Sequence, residues 1–262
     1  MAGQDDMPDR ASVEALLQGE ADINDAYVDI RPAHSGVEST NLAAMVQRMY
    51  GRWAEQRGFD VDIVERRTAQ TAGIEHAVLL IKGHNAYGWL KTDSGWHGML
   101  RVSPFDTRGM RETSGALVHV YPQLADDGAV ALAEADCRVE DCPATEAGRR
   151  RGAADEAGIR IIHGPTGLAG TCNVGATRDE KIAHARTMLR SRLYELDLKA
   201  REPERAPAHA GGFGVVRRYV PDKDIVRDTR TGHLSRAPLD VLDGNIDAFL
   251  EAATRFYSGG RP

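Results

Sequence analysis

The sequence predicts a multi-domain α+β fold, and three observations carry that reading. Strand-like and helix-like segments follow one another without the strict βαβ alternation of a parallel sheet. One helical pattern, from Arg178 to about Lys199, is much longer than the others. A chain of 262 residues is long enough for more than one hydrophobic core.

The elements follow in order. Residues 11–20 predict a short helix. Leu42, Met45, Val46, Met49 and Trp53 fall on one face of a better helix, entered through Ser35-x-x-Glu38, a capping-box pattern, and stopped at Gly58. FDVDIV alternates, so Phe59, Val61 and Ile63 share one side of a strand. HAVLLIK reads as a more buried strand, HNAYGWLK as a short helix or turn. HGMLRVS and SGALVHVYP are two strands around the loop PFDTRGMRET. ADDGAVALAEADCRVEDC predicts one or two strands, and GIRIIH another, ended by the turn Gly164-Pro165-Thr166-Gly167. The long helix carries Ile182, Ala185, Met188, Leu189, Leu193 and Leu196 as its stripe. AREPERAPAHAGGFG reads as a linker, RRYV as a short strand, and residues 244–257 as a last helix.

Composition excludes several classes. Hydrophobic residues make up 42% and charged residues 27%, ordinary for a globular chain, and no run approaches the ~20 apolar residues of a membrane span. The acidic, polar start MAGQDDMPDRASVEALLQ is not a signal peptide, so a cytoplasmic protein is expected. Cys137, Cys142 and Cys172 are too few for a disulfide framework. The C-x4-C spacing lacks a second pair, so no metal is expected and the cysteines read as small buried hydrophobes. A net charge of −6 argues against indiscriminate nucleic-acid binding. Residues 133–200 hold 11 basic and 11 acidic side chains, and no segment is strongly basic. In TEAGRRRGAADEAG, Arg149 to Arg151 are followed by Asp155 and Glu156, which alone reads as a solvated loop with ion pairs.

The blocks RMYGRWAEQRGF, AYGWLK, RVSPFD, VYP, HGPTG, LYELDL, RRYV, DTRTG and VLDGNIDAFLEA occur in one order over roughly residues 25–255. In them the chain resembles the bacterial type 2 peptide chain release factors, class I factors that read stop codons on the ribosome. The resemblance implies a release-factor-like fold of mixed sheets with packed helices and one long helix in the central domain. It implies a short N-terminal helical segment at 1–25, a decoding-like domain at 26–132, a catalytic-domain-like region at 133–200 and a C-terminal segment at 201–262 that packs on the decoding-like domain. About 25 residues precede the match, so the family's helical first domain is expected to be almost wholly missing, along with its contacts to the recycling GTPase.

The family's codon-reading tripeptide stands here as Ser103, Pro104 and Phe105. A serine hydroxyl both donates and accepts, so it can meet either purine edge. Gly36 and Glu38 match the helix start whose backbone N–H groups read the first uracil, although Glu38 is equally explained as a helix cap. Downstream the family carries His-Thr; here the pair is Glu112-Thr113. A carboxylate cannot stack as imidazole does and repels phosphate, so codon reading is expected to be altered.

The resemblance places Gly148-Arg149-Arg150 where the family has its universal Gly-Gly-Gln. The lost glycine allowed a backbone shape a Cβ forbids, and loss of one preorganised donor typically costs ~10²–10³ in rate. The flanking Gly152-Ala153-Ala154 and Gly175-Ala176-Thr177 offer little to RNA. Cys172 with His184 cannot be judged as a pair from sequence.

Three readings stand. The first is a release-factor-like protein, with no cofactor, that binds the ribosomal A site (rRNA, mRNA stop codon, P-site tRNA) without efficient peptidyl-tRNA hydrolysis. The second is a divergent esterase or transferase acting on aminoacyl- or peptidyl-tRNA, its arginines gripping acceptor-end phosphates. The third is a scaffold turned to a non-ribosomal partner.

Overall fold

The run from Ile74 to Lys82 is almost unbroken hydrophobe because both of its faces are covered. In a computed structural model, which describes residues 13–124, 132–143, 157–173, 175, 177–201 and 214–259, this run is β3 (Ile74–Lys82) of an eight-stranded sheet. The other strands are β1 (Ala26–Pro32), β2 (Asp60–Thr68), β4 (Gly95–Val102), β5 (Arg111–Pro122), β9 (Val215–Val220), β10 (Ile225–Asp228) and β11 (Leu234–Ser235). Their order is β11-β10-β9-β4-β5-β1-β3-β2, and β4 with β9 is the one parallel pair among them.

The alternation of β3 sorts two cores. Ala77, Leu79 and Ile81 face the first, which is closed by α1 (Val37–Gln56), α2 (Ala86–Leu90), α4 (Pro238–Leu242) and α5 (Asp247–Tyr257). Leu42, Val46, Met49 and Trp53 of α1 supply most of its helical side. Val78 and Leu80 face the second core, with Tyr27, Val64 and Tyr121. There they meet β7 (Gly158–His163) and α3 (Arg178–Arg201) through Ile159, Ile161, Ala185, Met188 and Leu189. β7 lies between β6 (Cys137–Cys142) and β8 (Ala169–Cys172) in an antiparallel three-stranded sheet. α3 crosses β8 so closely that a Cβ on Gly170 would lie 2.0 Å from the Ala185 carbonyl oxygen.

The α+β class, the mixed sheets and the long helix stand as the sequence predicts. Several local expectations do not. No capping box forms at α1: Gly36 is the N-cap, without a side-chain cap, and Glu38 turns toward Ser103 and Arg101 instead. In β2 a bulge between Ile63 and Glu65 breaks the alternation, leaving Ile63 exposed and sending Val64 into the second core. The described part of 11–20 is one turn, Leu16 N–H to Val13 O and Leu17 N–H to Glu14 O. Cys172 is buried, but Cys137 and Cys142 are only half-buried; none of the three is in a disulfide.

Two charge clusters tie the elements together. Asp93 and Arg217 are both fully buried and meet at 2.7 Å. Asp93 also accepts the Tyr50 hydroxyl at 2.7 Å, and the Arg217 guanidinium lies 4.5 Å from the Phe249 ring centre. His97 beside them is pushed down to about 4 by burial, so it is neutral. Its Nε2 lies 3.1 Å from the Asp93 carbonyl, an acceptor, which places the ring proton on Nε2. The second cluster joins α3 to the large sheet. Asp29 on β1 meets Arg192 of α3, Arg31 at 3.0 Å and His76 Nε2 at 2.8 Å, while His76 Nδ1 lies 3.1 Å from Glu65. Burial opposes charge on both Asp29 and His76, yet the mutual hydrogen bond and the surrounding charges win: the carboxyl is held far below its usual range and the imidazole is raised above 6.5.

Arg217→Met strands a buried Asp93 carboxylate and should cost about 3–5 kcal/mol, read as a lower urea midpoint; a loss under about 1 kcal/mol would mean the pair carries little of the fold. For His76 the folded value is the raised one. Its stabilisation is therefore complete below about 6.5 and is lost as pH climbs through the folded value. Urea titrations between about pH 5 and 10 should show wild type weakening on the alkaline side and His76→Gln lacking that step; a flat wild-type profile contradicts the assignment.

Candidate functional site

The loop between β4 and β5 is built on one serine. The Ser103 N–H donates to Met110 O at 3.0 Å, closing the loop at its base. The Phe105 N–H donates to Ser103 Oγ at 3.1 Å, which sets the turn through Pro104. Ser103 itself is buried and its hydroxyl donates to Glu38 Oε1 at 2.5 Å. Arg101, two residues back on the same strand face, donates to Glu38 Oε2 from Nη2 at 2.9 Å and from Nε at 3.2 Å, and to Asn41 Oδ1 at 2.8 Å. At the far side of the loop base, Asp222 accepts from the Val102 N–H at 3.0 Å and from Arg111 at 3.0 Å.

The outcome is an acidic and hydroxylic corner beneath an apolar tip. Phe105 and Met110 are 42% and 57% exposed. The Ser103 proton is committed to Glu38, and one of the oxygen's lone pairs takes the Phe105 N–H. What remains on Ser103 Oγ and Glu38 accepts hydrogen bonds, so the corner suits a ligand edge that donates. Gly36 leads into the same helix end with φ 119, a conformation that favours glycine. The first N–H groups of a helix lack intrahelical acceptors, and Glu38 in the first turn complements their dipole.

The structure thus brings Gly36, Glu38, Ser103, Pro104 and Phe105 to one end of the sheet. The Glu112–Thr113 pair splits. Glu112 stands opposite Arg101 in the β4–β5 register and shares its face, whereas Thr113, opposite Leu100, points to the other face. Both are exposed. Gly148, Arg149 and Arg150 lie outside the described residues. His163 holds its own turn, Nδ1 to Thr166 Oγ1 at 2.8 Å. Cys172 is buried while His184 is exposed on α3, so they do not form a nucleophile pair. Among the described residues no group of His, Cys, Asp and Glu is arranged to hold a metal, and no helix is long and apolar enough to cross a membrane. Sequence reasoning passed over Arg101 and Asn41. The signal was there: Asn41 follows Glu38 by three on a helix, and Arg101 precedes Ser103 by two on a strand.

Comparison with known proteins agrees with this architecture. The PCRF domain model matches residues 4–118. Peptide chain release factor 2 of Phenylobacterium zucineum is 41% identical over 250 residues, covering 93% of this chain and 68% of that protein. The same factor of a Ruegeria species is 40% identical over 260 residues, covering 95% and 68%. Among solved structures, RF2 of Thermus thermophilus superposes with a TM-score of 0.83 at 35% identity, over 95% of this chain and 72% of that one. Fold, loop and likeness together define a protein of the translation-termination class. The chain belongs to the peptide chain release factor 2 family.

Glu38→Ala removes the acceptor shared by Ser103 and Arg101, charge-assisted bonds worth about 1.5–3 kcal/mol each. Amide exchange across residues 103–110 should quicken at least about tenfold, by that magnitude. Unchanged exchange would show that the Ser103–Met110 backbone bond holds the loop alone.

Proposed function

We propose that the protein occupies the ribosomal A site as a release factor does, with the Ser103–Glu38 corner toward mRNA, and does not hydrolyse peptidyl-tRNA efficiently. The observation that carries the first half is the Ser103 hydroxyl fixed on Glu38 at 2.5 Å in a loop whose tip is exposed. Gly148-Arg149-Arg150, in place of Gly-Gly-Gln, supports the second half. Membership in a translation-termination family supports the ribosome as partner and the cytoplasm as location. The division of labour follows the chain: 26–132 with 201–262 for decoding, 133–200 for the hydrolytic end.

Reading of the codon is altered rather than absent. Glu112 adds a carboxylate on the face that already holds Glu38, with Arg101 opposite it. A phosphate-bearing ligand meets more repulsion there than it would beside an imidazole.

Two measurements test the proposal. Ribosomes carrying a stop codon in the A site should co-sediment the protein saturably, and Ser103→Ala should weaken that binding severalfold; absence of saturable binding sinks the reading. In a peptide-release assay wild type should be inert, and Arg149→Gly with Arg150→Gln should restore release. Release by wild type would favour the esterase or transferase reading instead.

A further inference from the structure

The second face of the large sheet is covered by α3 and β7 over β1, β2 and β3, and the register leaves a distinct lane on its other half. Leu234 stands opposite Arg227, Arg227 opposite Arg218, Arg218 opposite Gly98, and Gly98 opposite Gly115. Strands lie ~4.8 Å apart, so this row crosses five strands in about 19 Å. Trp96 lies flat on its glycine end. A Cβ on Gly98 would come within 1.9 Å of the indole, and one on Gly115 within 2.4 Å. These two glycines form the floor on which the ring rests. The ring remains half-buried rather than buried, unlike Trp53 and Trp89.

The arginines beside it are unlike their neighbours in sequence. Arg217 and Arg230 are buried and paired with Asp93 and Asp228. Arg218 and Arg227 are exposed, and no described residue pairs with either. They face each other directly across β9 and β10, a like-charge arrangement that costs stability. The adjoining pairs on this face, Ile225–Val220 and Leu100–Thr113, carry no charge. Asp222, just after β9, is taken by Arg111.

We infer that this lane binds a single-stranded stretch of RNA, with phosphates on Arg218 and Arg227 and a base on Trp96. The occupant follows from charge and shape. Two guanidiniums one strand apart match phosphate oxygens in a bidentate manner. An indole held flat offers the stacking surface that unpaired bases use. Bound phosphates would also relieve the repulsion between the two arginines. The surface lies on the face opposite the Ser103–Glu38 corner, so it extends the contact with RNA beyond codon reading and does not depend on it.

The test uses the full chain and a labelled single-stranded oligoribonucleotide followed by fluorescence anisotropy. Arg218→Gln with Arg227→Gln should weaken binding at least about tenfold and lower the salt slope by about two, one for each phosphate the variant no longer neutralises. The same double variant should melt no lower than wild type, because it removes a repulsion. RNA should quench the emission of wild type but not of Trp96→Phe, since Trp53 and Trp89 are buried. The inference is overturned if wild type does not bind the oligonucleotide, if the double variant binds within twofold with an unchanged slope, or if poly-glutamate binds as tightly as RNA, which would mark a surface for acidic proteins. Failure of stop-codon-dependent co-sedimentation leaves these outcomes untouched and bears on the proposed function alone.

Discussion

The pair between Asp93 and Arg217 is the constraint on which the first core and its side of the large sheet rest. The two residues are 124 positions apart and both are fully buried. Their ionic bond ties the strand that follows the long helix into the core, because Arg217 sits on β9, which pairs with β4 in the parallel sense. Burying two charges is expensive, and the site offsets the cost with polar partners: the Tyr50 hydroxyl on one oxygen of Asp93, Arg217 on the other, and the Phe249 ring under the guanidinium. The neutrality of His97 follows from the same logic, since a third charge there would lack a counterion. Once β9 is placed, Asp222 is carried to the base of the Ser103 loop, where it accepts the Val102 N–H. One support of the candidate corner, the Asp222 bond to the Val102 N–H, thus comes from the segment that follows the strand anchored by this buried salt bridge.

The second cluster works differently. Asp29, His76, Glu65 and Arg192 lie where α3 meets the large sheet, and His119 pairs with Glu195 along the same helix. Ion pairs with geometric demands fix register there, while the apolar contacts of Met188 and Leu189 supply most of the burial energy. Since an imidazole completes the cluster, this junction responds to pH.

Where periodicity was clean, the fold was readable. α1, α3, β3 and β5 announce themselves because burial on one face or on two leaves a regular pattern. β1 went unread because Asp29 interrupts its apolar run, and only a buried ion pair with residues 47 and 163 positions away makes that acid tolerable. β8, four residues of Ala-Gly-Thr-Cys, has no pattern to read; its glycine reflects the close passage of α3. The capping box at Ser35 and Glu38 is a local signal that a long-range bond overrode, since a carboxylate with Arg101 and Ser103 in reach gains more from them than from its own backbone. The same override turned a helix cap into part of the candidate site. Trp96, Arg218 and Arg227 carry no signal in sequence, for only strand register sets them in one row.

The Ser103–Glu38 corner and the three-stranded sheet are held in different ways. At the corner, Glu38 and Ser103 hold the loop they present, so change there disturbs the structure itself. In the three-stranded sheet the frame is set by strand pairing and by the helix behind it. β6 and β7 pair from Cys137–His163 to Cys142–Gly158, and α3 packs behind them. That frame is held by apolar contacts, Ile159 and Ile161 against Ala185, Met188 and Leu189, and by strand pairing, so it stands without help from the polar residues of the corner.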